Sequence, residues 1–129
     1  RICIDGQGLC RGDAPGPVRL RPFPPAAIAG VSILKLNAAE ARAAAGSLDP
    51  DALRVLGAPE VAVTLGHQGA VGVTSDGAWT STPTGKGAYA DPTGAGDTWT
   101  AAYVLRRAEG DPPDAAARAA AEHADHLYL

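Results

Sequence analysis

Hydrophobic residues occur along this chain in two patterns. Short apolar runs rich in β-branched residues predict strands, and they lie at 1–5, 32–36, 60–65, 69–75, 78–84 and 89–91. Alanine-rich stretches predict helices, and they lie at 38–45, 50–57, 94–108 and 113–126. Because strands and helices interchange along the chain, the pattern predicts an α/β sheet with helices packed on it.

Capping and turn residues mark several of these boundaries. Asn37 stands directly before the first predicted helix and Glu40 follows three residues later, which is the spacing of a capping box. Gly46 would end that helix. Asp76 and Gly77 separate two apolar runs and favour the two-residue turn of a β-hairpin. The first helix and the hairpin are therefore the most sharply bounded predictions.

Composition narrows the class of protein. With 129 residues, 46% of them hydrophobic, the chain can form one core, so we expect a single domain over 1–129. The net charge of -3 and the lack of a Lys/Arg run argue against nucleic acid or an anionic membrane as partner. No apolar stretch is long enough to span a bilayer and no leader pattern is present, so we expect a cytoplasmic protein that binds a small molecule. Cys3 and Cys10 are too few for a disulfide framework, and we interpret both as ordinary thiols.

The segment DPTGAGD, residues 91–97, carries the candidate chemistry. A glycine-rich turn that enters a helix leaves backbone N–H groups unpaired, so Gly94, Ala95 and Gly96 would form an anion hole. Asp97 would accept a proton from an attacking hydroxyl beside it. The same residues suit a purely structural turn in which Asp97 only complements the helix dipole. The residues alone leave both interpretations open.

Four segments, in order, resemble the ribokinase-like, PfkB-type family of carbohydrate kinases: IDGQGLCR, LKLNAAEA, VAVTLGHQGAVGV and DPTGAGD. The resemblance implies a ribokinase-like three-layer α/β/α sandwich, present here in part. It also implies ATP-dependent transfer of a phosphoryl group to a sugar or polyol. The chain begins at Arg1 inside a strand pattern and ends inside a helical one, so we expect the family's acceptor-binding and lid segment to lie outside it. We therefore expect this stretch alone to be inactive as a kinase.

The resemblance also implies roles for the residues of the glycine-rich segment. Asp97 would be the general base that deprotonates the acceptor hydroxyl, and the amides of Gly94, Ala95 and Gly96 would form the anion hole. Asp91 resembles the residue that supports a monovalent cation such as K⁺ in part of the family. Asp91 equally suits a residue that only bonds its own loop.

The remaining candidate residues would contact the nucleotide, again by resemblance. Asn37 and Glu40 would lie near the ATP phosphates, and Glu40 would act on Mg²⁺ through water. Thr64, Gly66 and Gly69 would line the nucleotide, where glycine permits close approach of the backbone. A structural interpretation stands beside each role: Asn37 and Glu40 as a capping box, Thr64 as a strand residue and the glycines as turn residues.

Several alternatives to a sugar kinase stay open. A vitamin or nucleoside kinase of the same superfamily would share these residues, and so would a truncated nucleotide-binding module without catalysis. An exposed sheet edge and apolar face would favour a homo-oligomer or association with the absent N-terminal segment. His123 and His126 stand three apart on a predicted helix, but no third metal ligand is evident, so a solvated or core pair is favoured.

Overall fold

The computed structural model describes residues 3–6, 22–23, 25–82 and 95–128. Its five strands are β1 (Cys3–Asp5), β2 (Ile33–Asn37), β3 (Glu60–Thr64), β4 (Ala70–Thr74) and β5 (Gly77–Ser81). Its four α-helices are α1 (Ala38–Ala45), α2 (Pro50–Val55), α3 (Ala95–Ala108) and α4 (Pro113–Tyr128). Two short 3₁₀ turns, Pro25–Ile28 and Gly66–Gln68, complete the described elements.

The five strands form one sheet in the order β1-β2-β3-β4-β5. β1 runs parallel to β2, and β2 runs parallel to β3. The connections from β3 to β4 and from β4 to β5 are too short for a parallel crossover, so both pairs are antiparallel. The sheet is therefore mixed, with a parallel part followed by a hairpin.

The described chain separates into two compact units, and the first holds Arg1–Thr64 and Gly72–Ala78. Its core includes the apolar face of β2 and β3, where Leu34, Leu36, Val61 and Val63 are completely buried. Burial of each such side chain contributes about 1.5–3 kcal/mol of transfer free energy. Leu34 pairs with Val61 and Leu36 pairs with Val63. Because register partners in a parallel sheet point to the same side, these four side chains share one face.

The second unit holds Leu65–Val71 and Trp79–Leu129, and its centre is aromatic. Tyr103 of α3 is fully buried between two tryptophans, with ring centroids 4.9 Å from Trp99 and 6.0 Å from Trp79. Four buried alanines of α4 complete this core, namely Ala116, Ala117, Ala120 and Ala124. Small side chains on α4 let the two helices approach closely, while the aromatic rings of α3 supply most of the buried volume.

Most predicted elements occur within two residues of their predicted bounds. The hairpin differs by one position, because Ser75 and Asp76 form the turn and Gly77 begins β5 with φ of 136°. The two 3₁₀ turns were not predicted. The strand predicted at 89–91 lies outside the described residues, and a single domain over 1–129 stays a prediction. Within the described residues, no helix combines the length and apolar character that a membrane crossing needs.

Candidate functional site

The carboxyl ends of the parallel strands bring two predicted residues together in the first unit. Asn37 ends β2 and Thr64 ends β3, and the two are register partners. The Thr64 hydroxyl donates to the Leu36 carbonyl over a long 3.5 Å, and Asn37 is exposed. Open α/β sheets bind ligands at this carboxyl edge of their parallel strands. The placement of Asn37 and Thr64 therefore suits a ligand contact.

Asn37 and Glu40 form the predicted capping box at the start of α1. The Glu40 amide donates to Asn37 Oδ1 at 2.8 Å, and the Asn37 amide donates to Glu40 Oε1 at 2.9 Å. Glu40 is only 3% exposed. One carboxylate oxygen of Glu40 already caps the helix, so the residue fits an indirect role toward Mg²⁺, through water, better than direct ligation.

The same sheet edge carries an ion pair that the sequence analysis missed. Lys35 Nζ lies 3.3 Å from Asp5 Oδ2, and the two residues are register partners in β2 and β1. The Lys35 side chain is 6% exposed and that of Asp5 28%. The available signal was a lysine between two leucines in a strand pattern, since a charge buried at such a position requires a partner.

Cys3 lies two register positions from this ion pair, on the same face of the sheet. Burial is the main cause that raises the pKa of the Cys3 thiol, and the carboxylates of Asp5 and Glu60 raise it further. Lys35 opposes that shift. Cys3 is a free cysteine, and its raised pKa disfavours the thiolate form that would react as a nucleophile.

Gly66 and Gly69 frame a tight turn in the second unit. They have φ of 61° and 97°, and the Leu65 amide closes the turn by donating to the Gly69 carbonyl at 2.9 Å. Their positive φ values explain why glycine occurs here. Apart from the neighbours of Gly66 in the chain, no atom of a described residue lies within 4 Å of the position that a Cβ would take there. The turn therefore leaves room beside Gly66 for a ligand.

The first turn of α3 carries the part of DPTGAGD that the structure describes. Ala95 is buried and Asp97 is exposed, while the Thr100 hydroxyl donates to the Gly96 carbonyl at 2.8 Å. No described residue hydrogen-bonds or forms an ion pair with the Asp97 carboxylate. Asp91 and Gly94 lie outside the described residues, so the cation site and part of the predicted anion hole stay predictions.

Each unit thus carries its own set of candidate residues. The first unit holds Asn37, Glu40 and Thr64, and the second holds Gly66, Gly69, Ala95, Gly96 and Asp97. Within the described ranges, no group of three or more His, Cys, Asp or Glu side chains is arranged to hold a metal ion.

Comparison with known proteins agrees with the fold and the motifs. A family model described as pfkB family carbohydrate kinase matches residues 17–126. Among curated proteins, none matches. Solved structures do match, and three of them are described below.

One similar structure is a pyrophosphate-dependent kinase in the ribokinase family, complexed with a pyrophosphate analog and myo-inositol. It has a TM-score of 0.82 and 20% identity, covering 98% of this chain and 47% of that one. Arabidopsis thaliana ribokinase, complexed with ribose and ATP, has a TM-score of 0.70 and 26% identity over 83% of this chain and 38% of its own.

The third structure is the tetrameric inhibited form of phosphofructokinase-2 from Escherichia coli. It has a TM-score of 0.62 and 27% identity, covering 81% of this chain and 38% of its own. These likenesses confirm the ribokinase-like α/β fold, present in part. The chain spans less than half the length of the three structures that it matches.

Proposed function

Since the chain belongs to the pfkB family of carbohydrate kinases, we propose that it is the donor-binding, base-carrying part of a phosphotransferase. The acceptor would be the hydroxyl of a sugar or polyol. The observation that carries the proposal is the first turn of α3. There Gly96 precedes Asp97, whose carboxylate is exposed and makes no hydrogen bond or ion pair with a described residue. Family membership shows that the chain is related to carbohydrate kinases. The donor, the acceptor and the identity of the base are what we propose.

In the proposed reaction, Asp97 accepts the proton of the acceptor hydroxyl as its oxygen attacks the terminal phosphorus of the donor. The bond from that phosphorus to the leaving phosphate oxygen breaks, and the phosphorylated acceptor forms. The amides of Gly94, Ala95 and Gly96 stabilise the charge that develops on the transferring group. A bound Mg²⁺ would neutralise donor charge, with Glu40 holding its water shell.

By family resemblance, we propose Asn37, Thr64, Gly66 and Gly69 as nucleotide contacts. Asn37 and Thr64 lie at the carboxyl edge of the sheet, where a ligand is expected. Gly66 and Gly69 have no side chains, so a ligand can approach the backbone of their turn. Support for ATP as donor comes from the ATP complex of the Arabidopsis thaliana ribokinase. A monovalent cation at Asp91 is part of the proposal only by family resemblance.

Pyrophosphate is the second candidate donor. The structure with a TM-score of 0.82 is pyrophosphate-dependent, and it matches 98% of this chain. Its 20% identity supports only a shared fold, so the donor must be decided by measurement. Either donor would present phosphate oxygens to the first turn of α3.

The acceptor is proposed as a sugar or polyol from the family as a whole. A nucleoside or vitamin acceptor is the alternative within the superfamily, and a non-catalytic nucleotide-binding module is the alternative outside catalysis. The tetrameric relative supports testing for a homo-oligomer, because a second subunit can complete a site.

Calorimetry tests the proposal, with Mg²⁺-ATP and Mg²⁺-pyrophosphate titrated separately into the protein. Gly96→Asp should abolish binding of the true donor by placing a negative charge among the amides. Ala101→Asp is the matched control, because it adds the same charge to an exposed position farther along α3. Asp97→Ala should leave donor binding nearly intact if Asp97 acts only on the acceptor proton.

The outcomes separate the candidates. Binding of ATP alone supports an ATP-dependent kinase, and binding of pyrophosphate alone supports the second candidate. A folded protein that binds neither donor, or a Gly96→Asp variant that binds as tightly as Ala101→Asp, would contradict the proposed site. Retained donor binding without phosphoryl transfer to any sugar, polyol, nucleoside or vitamin would favour the non-catalytic module.

A further inference from the structure

A groove of about 540 Å³ lies between α3 and α4, entirely within the second unit. Its apolar wall consists of Ala101, Ala102, Leu105 and Ala119. Leu105 is 60% exposed, so its side chain is accessible to an apolar ligand. The volume falls in the range of small-molecule sites, which is about 300–1,000 Å³.

The polar lining of the groove is basic. It consists of Thr98, Arg106 and His123, and no acidic residue lines the groove among the residues that the structure describes. Polar groups that converge on an apolar wall are the usual composition of a small-molecule site. Arg106 contributes a guanidinium, whose N–H groups hydrogen-bond anionic ligands.

Arg106 is held in place by the connection between the two helices. Its Nε donates to Asp111 Oδ2 at 2.7 Å, and the Asp111 amide donates to the Arg106 carbonyl at 3.1 Å. Arg107 fixes the same residue by donating from a terminal nitrogen to the Asp111 carbonyl at 2.8 Å. The guanidinium is therefore anchored through one nitrogen, and its side chain is still 48% exposed.

An anchored guanidinium suits a carboxylate. The two terminal nitrogens of Arg106 donate to no acceptor among the described residues. These two nitrogens form the fork that binds a carboxylate in bidentate fashion. Because Asp111 already restricts the side chain, less conformational entropy is lost on binding. We propose that the groove between α3 and α4 binds a small organic carboxylate whose apolar body lies against Ala101, Ala102 and Leu105.

This site is separate from the proposed transfer residues and does not depend on the kinase activity. Thr98 connects the two, since it lines the groove and directly follows Asp97 in the first turn of α3. A ligand in the groove would contact the helix that carries the proposed base.

Methyl NMR of the full chain, with labelled alanine and leucine, tests the proposal. Cinnamate is the probe, and cinnamyl alcohol is its uncharged counterpart. Cinnamate should shift the methyl signals of Ala101, Ala102, Leu105 and Ala119, and the alcohol should bind at least about tenfold more weakly because it lacks the charged partner of Arg106.

Arg106→Gln should weaken cinnamate binding by about tenfold or more, since hydrogen bonds to charged groups contribute most. Arg118→Gln is the matched control, an exposed arginine of α4 outside the groove, and should bind as the unsubstituted chain does. Ala101→Trp should fill the groove and abolish the shifts, with unfolding curves to show that it folds.

Three results would overturn the proposal: no shift up to the solubility limit, equal binding of the alcohol, or unchanged binding by Arg106→Gln. Methyl shifts that follow protein concentration without any probe would assign the groove to contact between two copies, and would overturn it too.

Discussion

The two helices that carry candidate residues begin in different ways. At the start of α1, Asn37 and Glu40 satisfy each other's backbone and side-chain groups, and Glu40 is buried. At the start of α3, Asp97 is exposed and has no described hydrogen-bond partner. Hydrogen bonds within the cap account for both residues of the first arrangement. At Asp97 the helix dipole is the stabilising interaction that remains, so a substitution there separates a structural role from a catalytic one.

The largest expected effect tests that contrast at Asp97. Asp97→Asn should lower the rate of phosphoryl transfer by about 10²–10⁴-fold, because the amide cannot accept the acceptor proton. The variant should lose little stability, since Asp97 is exposed and contributes only a helix-dipole interaction of about 0.3–1 kcal/mol. Initial rates over a panel of sugars and polyols, on protein that includes the acceptor-binding segment, together with urea unfolding, give both quantities.

Asp114→Asn provides the matched control, because Asp114 is also an exposed acid in the first turn of a helix, α4. If both variants lose the same small amount of stability and neither loses rate, Asp97 has only a structural role.

A second, intermediate effect is expected at Glu40. Glu40→Gln keeps the side-chain oxygen that accepts from the Asn37 amide, so the capping box and the stability should persist. It removes the negative charge, so Mg²⁺-dependent donor affinity should fall by about 10–100-fold, as for other outer-shell groups of metal sites. Calorimetry with and without Mg²⁺ measures this, and Glu122→Gln is an exposed control on α4. Unchanged affinity would leave Glu40 as a cap alone.

The smallest effect concerns stability at Asn37. Asn37→Ala should lower the free energy of unfolding by about 1 kcal/mol, because the Glu40 amide loses its acceptor. Asp49 precedes α2 in the same way but makes no side-chain cap bond, so Asp49→Ala should cost much less. Chemical denaturation of both variants checks the difference. Equal losses would show that the capping geometry is not what stabilises α1.

The sequence predicted best what depends on near neighbours. The capping box of α1 was predicted because both of its hydrogen bonds join residues three apart, and Gly46 ends the helix with φ of 82° as expected. The hairpin was predicted with its turn one residue late. Asp76 and Gly77 satisfy the turn rule, but the structure uses Ser75 and Asp76 and places Gly77 in β5.

Contacts between distant residues could not be predicted in this way. Lys35 and Asp5 are 30 positions apart and meet only through the register of two parallel strands. The stack of Trp79 on Tyr103 likewise joins a strand residue to a helix residue. Short 3₁₀ turns such as Gly66–Gln68 give no hydrophobic repeat to detect. For Asp97, sequence reasoning gave two roles, and its exposure in the first turn of α3 fits both, so its role as the base stays a prediction.

The buried pair of Lys35 and Asp5 also constrains how the chain can misfold. A slip of β1 by one residue would place Ile4 opposite Lys35 and turn Asp5 to the other face of the sheet. Lys35 would then be buried without its counter-charge, at a cost of about 3–5 kcal/mol. β1 has only three residues, all of intermediate burial, to fix its alignment. The ion pair therefore favours the native alignment of β1 on β2 over an alignment shifted by one residue.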